Sequence, residues 1–104
     1  MNFKNIEIEQ ASLGSQILSD DALIATIEYI DPLDYYRTSH QIIYKTIKEL
    51  FKKGIAVDLM ILINELLNKN LLEKIGGVTY LTHLINSVPN LENIEYLTDM
   101  RTKS

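Results

Sequence analysis

The sequence predicts an all-α fold, a compact orthogonal bundle of five to six helices, and three observations carry that prediction. Apolar residues recur at the i, i+3, i+4, i+7 spacing of a helix face along most of the 104 residues. No segment sustains the period-2 alternation of a half-buried strand; Ile6–Ile8 is too short to count as one. Gly and Pro are scarce, four and two in the whole chain, and all but Gly14 fall between the periodic segments, where they act as punctuation.

The first helix is predicted over about Ile6–Leu18, with Leu13 and Ile17 on its apolar face and Gly14 beside them. Asp20 reads as the N-cap of a second helix reaching about Tyr29, with Leu23, Ile24 and Ile27 facing inward. Asp31–Tyr36 (DPLDYY) reads as a turn holding one short helical turn. Thr38 or Ser39 then caps the clearest helix, which runs to about Lys53 with Ile43, Ile47, Leu50 and Phe51 on one face. Gly54 follows where a left-handed residue is wanted. Asp58 caps a helix over about Leu59–Asn68 that is apolar nearly all round, which predicts the central, most buried helix of the bundle. Leu71–Ile75 reads as a short helical piece ending at Gly76, and Val78–Val88 as a further helix. Pro89–Asn90 is a stop and a cap together, and Leu91 to about Met100 begins a last helix.

At 46% hydrophobic, a chain of this size buries roughly 60–70% of the surface its unfolded form exposes, enough for one self-sufficient core. There is no repeat, low-complexity tract or linker, so residues 1–104 read as a single domain. No apolar run approaches the ~18 residues of a membrane span. The opening MNFKNIEIEQ has acids where a signal peptide carries its apolar stretch. With no Cys, disulfide frameworks and thiolate chemistry are excluded. The reading is a cytoplasmic domain. A net charge of −4 argues against a dedicated nucleic-acid binder.

No catalytic constellation emerges. His40 and His83 lie on separate predicted helices without metal-ligand spacing, and both read as satisfied or surface imidazoles. No glycine-rich loop leads into Lys-Ser/Thr, so there is no P-loop, and Gly14-Ser15 lacks the strand that a nucleophile elbow needs. Glu7 and Glu9 suit the dipole at the start of the first helix, and Asp20 and Asp58 read as caps. Lys45, Lys48 and Lys52, with Lys53 beside them, form a basic stripe opposite an apolar face. It lacks arginines and interleaved aromatics, so a solvated face explains it better than a nucleic-acid contact. Tyr35, Tyr36, Tyr44 and Tyr80 are amphipathic side chains suited to a core edge or a protein interface.

Five ordered blocks carry a resemblance that covers nearly the whole chain. They are NIEIEQASLGSQIL (Asn5–Leu18), DPLDYYRTSHQIIY (Asp31–Tyr44), GIAVDLMILINEL (Gly54–Leu66), LLEKIGGVTYL (Leu71–Leu81) and SVPNLENIEYL (Ser87–Leu97). Together they resemble the N-terminal domain of DnaB-type replicative DNA helicases. Ile8 stands where that family commonly has Ala, and Leu59-Met60-Ile61 where it often has Val-Thr-Val; both exchanges keep the helical pattern. The helical hairpin, linker and RecA-like motor that follow in such helicases are absent, so the resemblance implies an N-terminal fragment of a longer helicase chain.

What the resemblance implies is a scaffold. Such domains form a collar on a hexameric motor, help hold the ring together and dock primase and loader proteins. The expectation is therefore no catalysis in this chain, no cofactor or metal of its own, and ATP and Mg²⁺ only in the motor of the parent helicase. Expected partners are a second copy of itself (a dimer in isolation, a hexamer in the parent), primase and a helicase loader, with DNA met only through the parent and no membrane. By the same resemblance Tyr80, with Gly76 and Gly77 before it, is the candidate partner interface. Two alternatives stand beside this reading: a free-standing adaptor that binds helicase or primase, and a small DNA-binding domain that uses Lys45, Lys48 and Lys52.

Overall fold

Most helix boundaries in residues 5–89, the part of the chain that the computed structural model describes, trace to a cap or to a backbone conformation that the sequence supplies. Helix α1 spans Ile6–Leu18, as predicted, and Asn5 caps it by accepting the Ile8 N–H at 2.8 Å. Helix α2 spans Asp20–Thr26 and stops short of the predicted Tyr29. Its cap is Ser19 and not Asp20. Ser19 has extended backbone and breaks the chain between the two helices, its Oγ accepting the Ala22 N–H at 3.2 Å, whereas Asp20 is already helical. A helix this short turns one face inward: Leu23 is buried, but Ile24, expected inside, is 60% exposed. Pro32–Asp34 forms the predicted helical turn, of 3₁₀ type. It is closed by a reciprocal cap in which Asp31 accepts the Leu33 N–H and Asp34 accepts the Asp31 N–H.

Helix α3 spans Thr38–Lys52. Neither Thr38 nor Ser39 caps it, because both already lie inside the helix; Arg37 holds the cap position without a side-chain capping bond. Gly54 takes the expected left-handed conformation at φ 75°. Helix α4 spans Leu59–Asn68, and Asp58 caps it through Ile61 N–H at 2.8 Å. The expected helical piece at Leu71–Ile75 is instead a set of hydrogen-bonded turns, ended by the positive φ of Gly76 and Gly77. Helix α5 spans Gly77–Asn86 and closes two residues before the predicted Val88. The predicted helix from Leu91 to Met100 and its cap Asn90 lie outside the described residues.

Among the described residues there are five α-helices and no strand, as the periodicity predicts. The central helix is α3, with His40, Ile43, Tyr44, Thr46, Ile47 and Leu50 all buried against α1, α4 and the 3₁₀ turn. The expectation that α4 would be the most buried is wrong. It packs chiefly on α3, so only Leu62 and Leu66 are fully enclosed, while Met60 and Leu67 are 64% and 57% exposed.

The tightest contact in the bundle joins sequence-distant helices. α1 crosses α5 at Gly14, where a Cβ would collide with the Leu84 carbonyl and come within 2.7 Å of Val88 Cγ2. Glycine at mid-helix costs about 1 kcal/mol in propensity; here it lets two backbones meet. That approach fixes the start of α5 above α1 and the first turn of α3.

Candidate functional site

Where α1, α3 and α5 converge, three polar side chains form a continuous chain from the core to the surface. Glu9 lies on the same stripe of α1 as Leu13 and Ile17 and is fully buried. His40, in the first turn of α3, is equally buried. Its Nδ1 lies 2.7 Å from Glu9 Oε1, and its Nε2 lies 2.5 Å from the Tyr80 hydroxyl on α5. The second carboxylate oxygen accepts the backbone N–H of Tyr36 at 2.7 Å. Glu9 therefore binds both α3 and the loop before it, and its burial is compensated by a paired donor on each oxygen.

The hydrogen-bond directions follow from the donor inventory. A carboxylate only accepts, so His40 Nδ1 carries the proton toward Glu9. Burial holds the His40 imidazole below its ordinary range, against the opposing pull of the Glu9 hydrogen bond. In the neutral ring Nε2 is an acceptor, and the Tyr80 O–H donates to it. The Tyr80 oxygen is then left as an acceptor, which Arg37 Nη1 at 3.2 Å and Gln10 Nε2 at 3.4 Å both use. The Tyr80 ring stacks on His40 at a centroid distance of 5.8 Å and meets His83 at 5.9 Å.

The neighbouring tyrosines divide by orientation. Tyr35 is buried, its hydroxyl 3.0 Å from Ser12 Oγ and its carbonyl accepting from Gln41. Tyr44 donates to the Ile30 carbonyl at 2.7 Å, and burial, reinforced by Asp31 and Asp34, pushes its phenol up to about 12. Tyr36 points outward and is 83% exposed. The extended backbone at Tyr35 sends the two consecutive rings to opposite sides.

Of the residues singled out from sequence, Tyr80 is half-buried, its hydroxyl engaged below and its flank open. Gly76 serves it directly: at φ 107°, a Cβ there would lie 2.7 Å from Tyr80 Cβ. Gly77 faces open space. Lys45, Lys48 and Lys52 line a shallow groove with Pro32 and Glu49, and neither Arg37 nor Tyr80 lines it. Glu49 itself is bonded by Lys69, which holds its carboxyl below the usual range, so an acid sits within the basic stripe. Sequence reasoning missed Glu9 and Arg37 as site residues and left His40 without a partner. Both ring nitrogens of His40 are occupied, and among the described residues no three metal-ligating side chains come together. No helix among them is long and apolar enough to cross a membrane.

Residues 1–100 match the family model of the DnaB-like helicase N terminal domain. The chain belongs to that family. It is 48% identical over 93 residues to the replicative DNA helicase DnaC of Bacillus subtilis (strain 168), covering 89% of this chain. It is 41% identical to the replicative DNA helicase DnaB of Geobacillus stearothermophilus over the same share. This DnaB-like domain spans about a fifth of the length of those relatives (20% of each). Among solved structures, the N-terminal domain of DnaB helicase from Mycobacterium tuberculosis superimposes with a TM-score of 0.80 at 38% identity. The superposition covers 89% of this chain and 67% of that one. The fold class expected from the resemblance is thus the observed one.

Proposed function

We propose that this chain is the collar domain of a replicative DNA helicase. In this reading it contributes to assembly of the helicase ring and docks primase or a helicase loader, while a motor elsewhere in the parent protein uses ATP to unwind DNA in the cytoplasm. The observation that carries the reading is the family match across residues 1–100, beside the similarity to relatives named as replicative DNA helicases. The surface is consistent with such a role. Tyr36, Met60, Leu67 and Val78 are all large apolar side chains left open to solvent, the kind of group that protein interfaces cover. Tyr80, held from below and open at its flank, suits an anchor at low entropic cost.

Sedimentation equilibrium together with calorimetric titration tests the proposal. The chain is expected to show a concentration-dependent monomer–dimer equilibrium and to bind the primase of the same organism. A strict monomer at millimolar concentration that also leaves primase unbound contradicts it.

A further inference from the structure

We infer that Arg37 and Tyr80 form a docking site for a carboxylate on an acidic segment of a protein partner, oriented from beneath by the buried Glu9–His40 pair. The inference rests on the reading that this face docks replication proteins, and it adds the chemistry of the contact. Glu9 is spent on His40 and on the Tyr36 N–H, so it offers nothing to Arg37. One guanidinium nitrogen of Arg37 is held on the Tyr80 oxygen. No carboxylate among the described residues lies within 4.0 Å of Arg37, unlike Lys69, which has two. Arg37 is exposed, so its remaining N–H donors form a fork with no acid among the described residues, and a planar fork suits a carboxylate. Tyr36, next to Arg37 in sequence, adds a large exposed ring. A nucleic-acid backbone would demand several cations at phosphate spacing, whereas the described lysine stripe lines a different groove.

The orientation has a definite origin. Glu9 fixes the Nδ1–H form of His40, which makes the Tyr80 hydroxyl donate inward and accept outward. In that polarity both acceptor positions of the oxygen stay available to Arg37 and Gln10. Glu9 and His40 are accordingly positioning residues. The charged and titratable groups facing His40 are Glu9 from α1, Arg37 and Tyr35 from the loop before α3, and Tyr80 from α5, with His83 behind it.

Glu9→Gln keeps the shape and the acceptor for Tyr36 but presents an amide N–H₂ to His40. The ring then takes the Nε2–H form and donates to Tyr80, which occupies one acceptor position of its oxygen and turns its proton outward, to the side from which Arg37 and Gln10 approach. The experiment measures binding of the same organism's primase to wild type, R37Q, Y80F, the R37Q/Y80F double variant and E9Q, with the His40 tautomer read from long-range ¹H–¹⁵N spectra. Expected are about tenfold weaker binding for R37Q and for Y80F, and a double variant no weaker than R37Q alone. E9Q is expected to exchange the tautomer and lose about the same affinity while remaining folded. Y80F, which removes one oxygen, keeps the test decisive should E9Q not fold. Wild-type binding that R37Q and Y80F leave unchanged overturns the carboxylate site alone. No binding by wild type removes the docking reading and this inference with it. Tighter binding of a dT oligonucleotide than of primase, lost in R37Q, overturns the assignment of a protein carboxylate.

Discussion

Replacing Gly14 with Ala isolates the contact that holds α1 on α5. In an exposed helix the change is stabilising by about 1 kcal/mol, because glycine is a poor helix former. Here the new Cβ would collide with the Leu84 carbonyl and approach Val88 Cγ2 to 2.7 Å. A methyl against a side chain is relieved by a rotamer change, but a carbonyl is fixed by its own helix. α5 must therefore move as a body, loosening Leu81 and Leu84, both fully buried. Overpacking of this kind costs up to about 3 kcal/mol. Offset by the propensity gain, the net loss is about 2 kcal/mol, a fall of roughly 8–16 °C in Tm for a domain of this size. Thermal and urea unfolding followed by circular dichroism measure it. A variant as stable as wild type, or more stable, would refute the close approach of the two helices.

Asp58→Ala removes the cap of α4 and is expected to cost about 1 kcal/mol in urea unfolding, with an unchanged slope. Because burial lowers the pKa of His40, the folded state binds fewer protons than the unfolded one between that lowered value and the imidazole's usual 6.5. The stability this contributes is fully present above 6.5 and is lost as pH falls through the folded pKa. Tm should thus drop on acidification below 6.5 more in wild type than in His40→Gln; equal slopes would discount the linkage. With a net charge of −4, the chain should bind DNA no more tightly than roughly 10⁻⁴–10⁻⁶ M at physiological salt. Sub-micromolar binding lost on replacing Lys45, Lys48 and Lys52 would restore the nucleic-acid alternative.

Local signals were legible from sequence where local physics decides. The bounds of α1, the Asp58 cap, the left-handed Gly54 and the conflict posed by glycine inside a helix each need only a few neighbouring residues. The failures have equally specific causes. Ser19 outcompeted Asp20 because the break between α1 and α2 falls one residue earlier than the acid suggests. The run of apolar residues in α4 cannot report that only one neighbour packs firmly on it. Glu9 and His40 were read as a dipole partner and a bystander because their partnership spans 31 residues of sequence. A signal was nevertheless present. Glu9 shares its helix face with Leu13 and Ile17, and His40 shares its own with Ile43, Tyr44 and Ile47. A charged or titratable side chain on an apolar stripe announces a buried partner on another element. Arg37 carried no such mark, since its role depends on where α5 places Tyr80.

The docking role is tested most directly by an NMR footprint of the same organism's primase on the ¹⁵N-labelled chain. Chemical-shift changes are predicted to cluster at Tyr36, Arg37 and Gly76–Leu81, with the amides of Ile47 and Leu50 in the core of α3 unmoved. Changes confined to the lysine face at Lys45–Lys52, or none at saturating primase, would contradict a docking surface built around Tyr80.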